Sequence, residues 1–275
     1  MGLAEVVPGV SGGTVALITG IYQELIDTIA RFGPESLSLL SSPREFYAHH
    51  NFRFLLALGV GMGIGILAFA QVMRYLLDAY PTVVWAFFFG VIVVSAFVVA
   101  RHRDRRVLMT LGLVGLIAGL ALALLPVRST DAGLLELFVG GSIAVCAWIL
   151  PAVSGSYVLV LMGLYEPVIS ALSEFAMVPL MTLASGCAVG LFVFVRVLKR
   201  LLIRYYEQTM GVLAGFMLGS TINLWPWRHV MAGESRWLSP WAYEQMVEPS
   251  MLTMSMISFV IGGSGLWLLA RNTDI

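Results

Sequence analysis

Long apolar runs separated by short polar ones set the pattern of this chain. The hydrocarbon core of a bilayer is ~30 Å thick and needs ~20 apolar residues per helical span. Phe54–Met73, Thr82–Ala100, Val107–Leu125, Val178–Val195 and Met251–Ala270 have about that length, and the shorter run Met210–Trp225 is read as a span as well. The pattern predicts an all-α, polytopic membrane protein.

Two stretches interrupt it. PGVSGGT (Pro8–Thr14) and PAVSGSY (Pro151–Tyr157) cannot run through lipid as plain helix. Proline removes a donor, glycine favours irregular backbone, and the freed polar groups need partners. Each is expected to form the tip of a re-entrant hairpin facing the other inside the bilayer. The adjoining arms Val15–Ile26 and Leu134–Leu150 are short or marginal for independent spans.

The interruptions belong to an internal repeat. Pro8–Ile26 overlays Pro151–Ile169 at an offset of 143 residues, with 8 of 19 positions identical. Phe54–Ser95 overlays Pro179–Ser220 at an offset of 125, matching Gly61 with Gly186, Gly65 with Gly190, Tyr80 with Tyr205 and Gly90 with Gly215. The 18-residue difference falls in the polar stretch around SSPREFYAHHN, present only in the first copy. The expected organisation is one transmembrane domain: repeat one over about 1–100, a linking helix over about 107–125, repeat two over about 134–225 and a terminal helix over about 251–270.

Composition agrees with this class. Of 275 residues, 59% are hydrophobic and 12% charged, with a mean hydropathy of +0.90, too little polar surface to cover a water-soluble globule. A net charge of +0 offers nothing to attract nucleic acid. Cys146 and Cys187 lie in apolar stretches and read as small hydrophobes, not as a disulfide or metal site. No metal or other cofactor is expected. The N-terminal MGLAEVVPGV lacks the basic region and long apolar core of a signal peptide, and its spacing does not suit myristoylation.

The distribution of charge sets an orientation. Arg101, Arg103, Arg105 and Arg106 form one basic cluster, and Arg196, Lys199, Arg200 and Arg204 another. With both in the cytoplasm, twelve basic residues fall inside and four, Arg74, Arg128, Arg228 and Arg236, outside. The first hairpin then enters from the cytoplasmic side and the second from the external side, so the repeats have inverted topology. Inverted repeats with broken helices are the architecture of secondary transporters, which bind substrate near the midplane.

The interruptions carry the candidate chemistry. Successive amides released at a Gly-rich turn before a helix suit an anion such as phosphate or carboxylate. Ser11, Thr14, Ser154 and Ser156 add hydroxyls to Gly12, Gly13 and Gly155, with Tyr22 and Tyr165 at matching positions beyond. Close helix packing is the alternative role for such small residues. Gly9-Val10-Ser11-Gly12-Gly13 also fits G-x-S-x-G, so an intramembrane serine hydrolase using Ser11 is a rival, as is an anion channel. A nucleophilic serine needs a base, yet His49, His50, His102 and His229 all fall in predicted loops. Glu5 and Glu166 flank the motifs and are candidates for ion coupling. Arg74 and Arg196 are candidates for headgroup contact, and the repeat pairs them with Lys199 and Gln71. Trp225, Trp227, Trp237 and Trp241 read as interfacial anchors in an external segment.

In AEVVPGVSGGT and ILPAVSGSYVLVLMGLYEPVI, with GIY and GLY after the motifs, the chain resembles the bacterial polyprenyl-phosphate transporter family PopT over nearly its whole length. The resemblance implies a non-enzymatic transporter of the cytoplasmic membrane that returns undecaprenyl phosphate from the outer to the inner leaflet for cell-wall synthesis. It implies a lipid substrate, and leaves a homo-oligomer open. Pro8, Gly9, Ser11, Gly12, Gly13 and Thr14 match the first motif, and Pro151, Ser154, Gly155 and Ser156 the second. Ala152 stands where the family has glycine, which restricts the backbone there. Members usually carry an apolar arm before the first motif, so a truncated N-terminus is expected.

Overall fold

A computed structural model describes residues 1–5, 11–33, 36, 41–101, 103–125, 133–231 and 234–271. Pro8, Gly9 and Val10 of the first break, and His102 and Arg128, lie outside the described residues. The protein is a helical membrane protein with five helices long and apolar enough to cross a bilayer.

A single helical turn, α1 (Gly2–Glu5), precedes α2 (Gly12–Ile18) and α3 (Tyr22–Ala30). α4 (Pro43–His49) lies in the polar stretch peculiar to the first copy, ahead of α5 (Phe52–Ala79) and α6 (Pro81–Ala100). α7 (Arg105–Val107), a π turn (Leu108–Gly112) and α8 (Leu113–Ala123) make one span. α9 (Leu134–Ile149), α10 (Gly155–Leu161) and α11 (Tyr165–Ser173) surround the second break. α12 (Met177–Arg204), α13 (Tyr206–Ser220) and a 3-10 turn (Thr221–Leu224) follow. A short antiparallel hairpin of β1 (Arg228–Met231) and β2 (Glu234–Trp237), then α14 (Pro240–Met246), lead to α15 (Leu252–Ala270).

The helices depart from the plain apolar pattern in three places. α5 and α12 overrun the apolar runs Phe54–Met73 and Val178–Val195, so Arg74, Arg196 and Lys199 are helical. Arginine and lysine are good helix formers, and backbone bonding continues through them where lipid ends. The arm after Pro151–Tyr157 is not one segment, because α10 and α11 meet at 110°. Gly163, at φ 70°, makes the corner in the left-handed region that glycine enters without steric cost. The Trp-rich segment after α13 contains the β-hairpin, which apolar periodicity gives no reason to expect.

Positions related by the repeat adopt the same local form. α2 and α10 each have 7 residues, α3 and α11 each 9, and α5 and α12 each 28. Gly20 (φ 76°) and Gly163 (φ 70°) turn the same corner. Tyr80 (φ −140°, ψ 53°) and Tyr205 (φ −134°, ψ 48°) end the two long helices alike.

Helix pairing is close and parallel. Phe89 meets Phe259 and Phe97 meets Trp267, so α6 and α15 run in the same direction. Gly186 and Gly190 of α12 lie against the backbone of Phe138 and Ser142 of α9, and the Ser142 hydroxyl donates to the Gly186 carbonyl at 2.8 Å. A Cβ at either glycine would collide with those carbonyls, which is how small residues let membrane helices approach. α8 pairs with α13 in the same sense, Gly115 against Val212 and Gly119 against Phe216. Cys146 and Cys187 are free thiols, donating to backbone carbonyls at the α9–α12 contact. The central core joins Leu17, Tyr22 and Ile26 to Ile92 and Val99 of α6, Ile149 and Ala152 of the second break, and Val195 and Met217. Leu17, Tyr22 and Ile26 after the first break and Ile149 and Ala152 at the second are therefore interior, whereas α5 buries only Met73.

Candidate functional site

The two breaks meet in the core. Ser11 caps α2 with an extended backbone (φ −108°, ψ 137°) and accepts from the Gly13 amide at 3.0 Å. This is the N-cap arrangement expected where helical amides lack partners. Its hydroxyl lies 3.3 Å from the carbonyl of Trp148 and 3.2 Å from that of Leu150, the carbonyls exposed as α9 ends before Pro151. Thr14 Oγ1 accepts from the Ala152 amide at 2.7 Å, and Tyr22 donates to the Ile149 carbonyl at 3.3 Å. The Gly12 amide donates to Glu5 Oε1 at 2.9 Å, and the Trp148 indole donates to the same oxygen at 3.0 Å. The polar groups freed by one break thus find their partners on the other, as backbone inside a bilayer must.

The second break is arranged differently. Ser154 has the extended backbone of its counterpart Ser11 (φ −95°, ψ 129°) but makes no side-chain cap to α10. Its hydroxyl pairs with Ser156 at 2.7 Å instead. Ala152 stands at φ 65°, a conformation costing an L-residue ~1–2 kcal/mol. The alanine thus occupies a glycine-type position, held there by the Thr14 hydroxyl. Ser154 lines a cleft of about 50 Å³ with Tyr157, Ser220, Asn223, Trp85 and Arg228. Ser11 and Thr14 of the first break are each 1% exposed.

Arg228 enters this cleft from β1. The strand is held by indoles: Trp225 donates to Leu238, Trp227 to Ser250 and Trp237 to Ile222, each to a carbonyl at 2.9–3.0 Å. Trp225, Trp227 and Trp237 thus bind this segment together, while Trp241 is exposed. Arg228 lies over the Trp85 ring at 5.9 Å, and burial draws its pKa below the usual value. By sequence Arg228 is one of four basic residues on the expected external side, and the aromatic-rich loop around it is the signal that marks it.

The remaining candidates are dispersed. Arg196 bonds the carbonyls of Phe192 and Phe32 and lies over the Phe192 ring at 3.4 Å, fastening the chain after α3 to α12. Lys199 pairs with Asp27 at 2.8 Å beside a second cleft of about 370 Å³ that includes Gln23 and Tyr206. Arg74 and Glu166 are exposed and make no hydrogen bond or ion pair to either break among the described residues. Among the described residues, Glu5 is the one of the four candidates Glu5, Glu166, Arg74 and Arg196 that touches the breaks.

Fold and site together define a multi-pass helical membrane protein with two broken helices joined at its centre and a basic cleft beside one of them. The chain belongs to the VCA0040-like, undecaprenyl phosphate translocase-like family, whose model matches residues 1–237. It is 35% identical over 273 residues to a protein of Vibrio cholerae named polyprenyl-phosphate transporter, covering 94% of this chain and 89% of that one. A Staphylococcus aureus protein with the same name is 28% identical over 246 residues, covering 82% of this chain and 83% of the relative. No solved structure matches.

Proposed function

We propose that this protein transports polyprenyl phosphate, undecaprenyl phosphate foremost, across the bacterial cytoplasmic membrane, from the outer to the inner leaflet in recycling of the carrier lipid. The observation that carries the reading is the contact between the two breaks, one sealed and the other beside a polar cleft, inside an otherwise apolar bundle. The names of the relatives support the substrate class.

The repeats act with inverted topology. In the orientation set by the basic clusters, α6 and α15 both run inward, α8 and α13 both outward, and α9 and α12 both inward. The three parallel pairings support that scheme. Ser154, Gly155 and Ser156 contact the phosphate on the open side. Ser11, Gly12, Gly13 and Thr14 contact it after their bonds to Leu150, Glu5 and Ala152 are exchanged. Transport then consists of trading one closed break for the other about a fixed midplane site. Glu5 is the coupling residue, since its carboxylate holds the first break shut; Glu166, Arg74 and Arg196 serve the mouths.

Hydrolysis by Ser11 is the weaker reading. The Ser11 hydroxyl is bonded among carbonyls and the Gly13 amide, with no general base in reach among the described residues. The test is movement of undecaprenyl phosphate between leaflets of proteoliposomes holding purified protein. Saturable movement of intact lipid supports transport. Release of inorganic phosphate, or no difference from empty vesicles, refutes it.

A further inference from the structure

The cleft beside the second break holds one charged side chain, Arg228, which pairs with no carboxylate among the described residues. The groups facing it are neutral hydrogen-bonding ones: Tyr157, whose hydroxyl faces Asn223 and lies 3.4 Å from the Ala123 carbonyl, with Ser154 and Ser220 nearby. A guanidinium partly withdrawn from water is costly unless an anion joins it. Its planar fork suits two oxygens of one phosphoryl group, and neutral hydroxyl and amide donors suit the others.

An arginine serving only as a surface anchor needs none of this framing. Arg228 instead lies over Trp85 on a strand pinned by three indole hydrogen bonds. Restraint of that kind reduces the entropy lost on binding. The rest of the wall is largely apolar, including Leu122, Val153 and Ala123, and suits a hydrocarbon chain leaving the headgroup.

We infer that Arg228, with Tyr157, Asn223 and Ser154, forms the docking site for the phosphomonoester headgroup of the lipid at the second break. The inference rests on the transport reading and gives it a recognition residue outside both repeated motifs. One guanidinium matches one phosphoryl group, and the bound species is the lipid headgroup, not free phosphate.

The test is equilibrium binding of farnesyl phosphate, farnesol and inorganic phosphate to the detergent-purified full chain, in wild type, Arg228→Gln, Arg228→Lys and Tyr157→Phe. Thermal unfolding of each variant confirms that it is folded. Arg228→Gln is expected to weaken farnesyl phosphate by roughly 30-fold or more, the loss from truncating one side of a desolvated charge pair, with farnesol unchanged. Arg228→Lys, which keeps charge without the fork, should retain part of the affinity. Tyr157→Phe should lose several-fold, about one hydrogen bond. A folded Arg228→Gln variant that binds farnesyl phosphate as wild type does overturns the inference and leaves the transport reading standing. Inorganic phosphate binding as tightly as farnesyl phosphate overturns the lipid assignment. Wild type indifferent to the phosphate of farnesyl phosphate counts against transport itself.

Discussion

Thr14 and Ala152, 138 residues apart and each on its own chain break, are joined by a 2.7 Å hydrogen bond from the Ala152 amide to Thr14 Oγ1. The bond satisfies a buried donor that no helix supplies with a partner, and it ties the halves together at their centre. Thr14→Val keeps the shape and removes the acceptor, leaving the amide unsatisfied at a cost of about 1–3 kcal/mol. A lower unfolding temperature in detergent is expected for Thr14→Val, and near-wild-type behaviour for Thr14→Ser. Equal stability of Thr14→Val and wild type would falsify the pairing.

Ala152 occupies the left-handed region at φ 65°. Glycine relieves that cost but loses more entropy on folding, so Ala152→Gly is expected to stabilise by a net ~0.5–1 kcal/mol. The check is a rise in unfolding temperature with the Thr14 bond intact.

Gly190 and Gly65, and Gly186 and Gly61, are pairs in the repeat, yet their surroundings differ. At Gly186 and Gly190 a side chain would strike the α9 backbone, while at Gly61 nothing lies within 4 Å. Gly190→Leu is expected to cost more than ~3 kcal/mol or prevent folding, an overpacking effect with no room to relax. Gly61→Leu should fold normally, because its side chain points away from the described protein. Yield of monodisperse protein after size-exclusion chromatography separates the two.

Ser11→Ala and Ser154→Ala distinguish one shared site from a nucleophile. In transport by exchanged breaks, both substitutions slow leaflet-to-leaflet movement of undecaprenyl phosphate, by about tenfold if each removes one hydrogen bond to a charged group. A hydrolase would lose everything with Ser11→Ala and nothing with Ser154→Ala. That second pattern would return the function to the enzyme class.

Glu5→Gln retains an oxygen for the Gly12 amide or the Trp148 indole but removes the charge, whereas Glu5→Ala leaves both donors bare. If Glu5 couples transport to protons, Glu5→Gln flattens the dependence of transport rate on an imposed pH gradient while the protein stays folded. An unchanged dependence in Glu5→Gln assigns Glu5 to closing the first break alone.

Much of this architecture could be read from residue order, because it depends on local properties. Apolar length decides what can cross lipid, and proline and glycine decide where a helix cannot continue, so the five long spans and both breaks were visible without coordinates. The repeat was visible for the same reason: like sequence imposes like backbone, down to the corners at Gly20 and Gly163. What residue order could not supply is which surfaces meet. Ser11 and Ser154 look equivalent in sequence, yet the first is sealed against Leu150 while the second faces a cleft, since packing between distant segments broke their symmetry. Arg228 read as one more external cation. Only the tertiary fold, by pinning its strand with indole bonds across the loop, carries that charge to the second break, where no carboxylate among the described residues answers it.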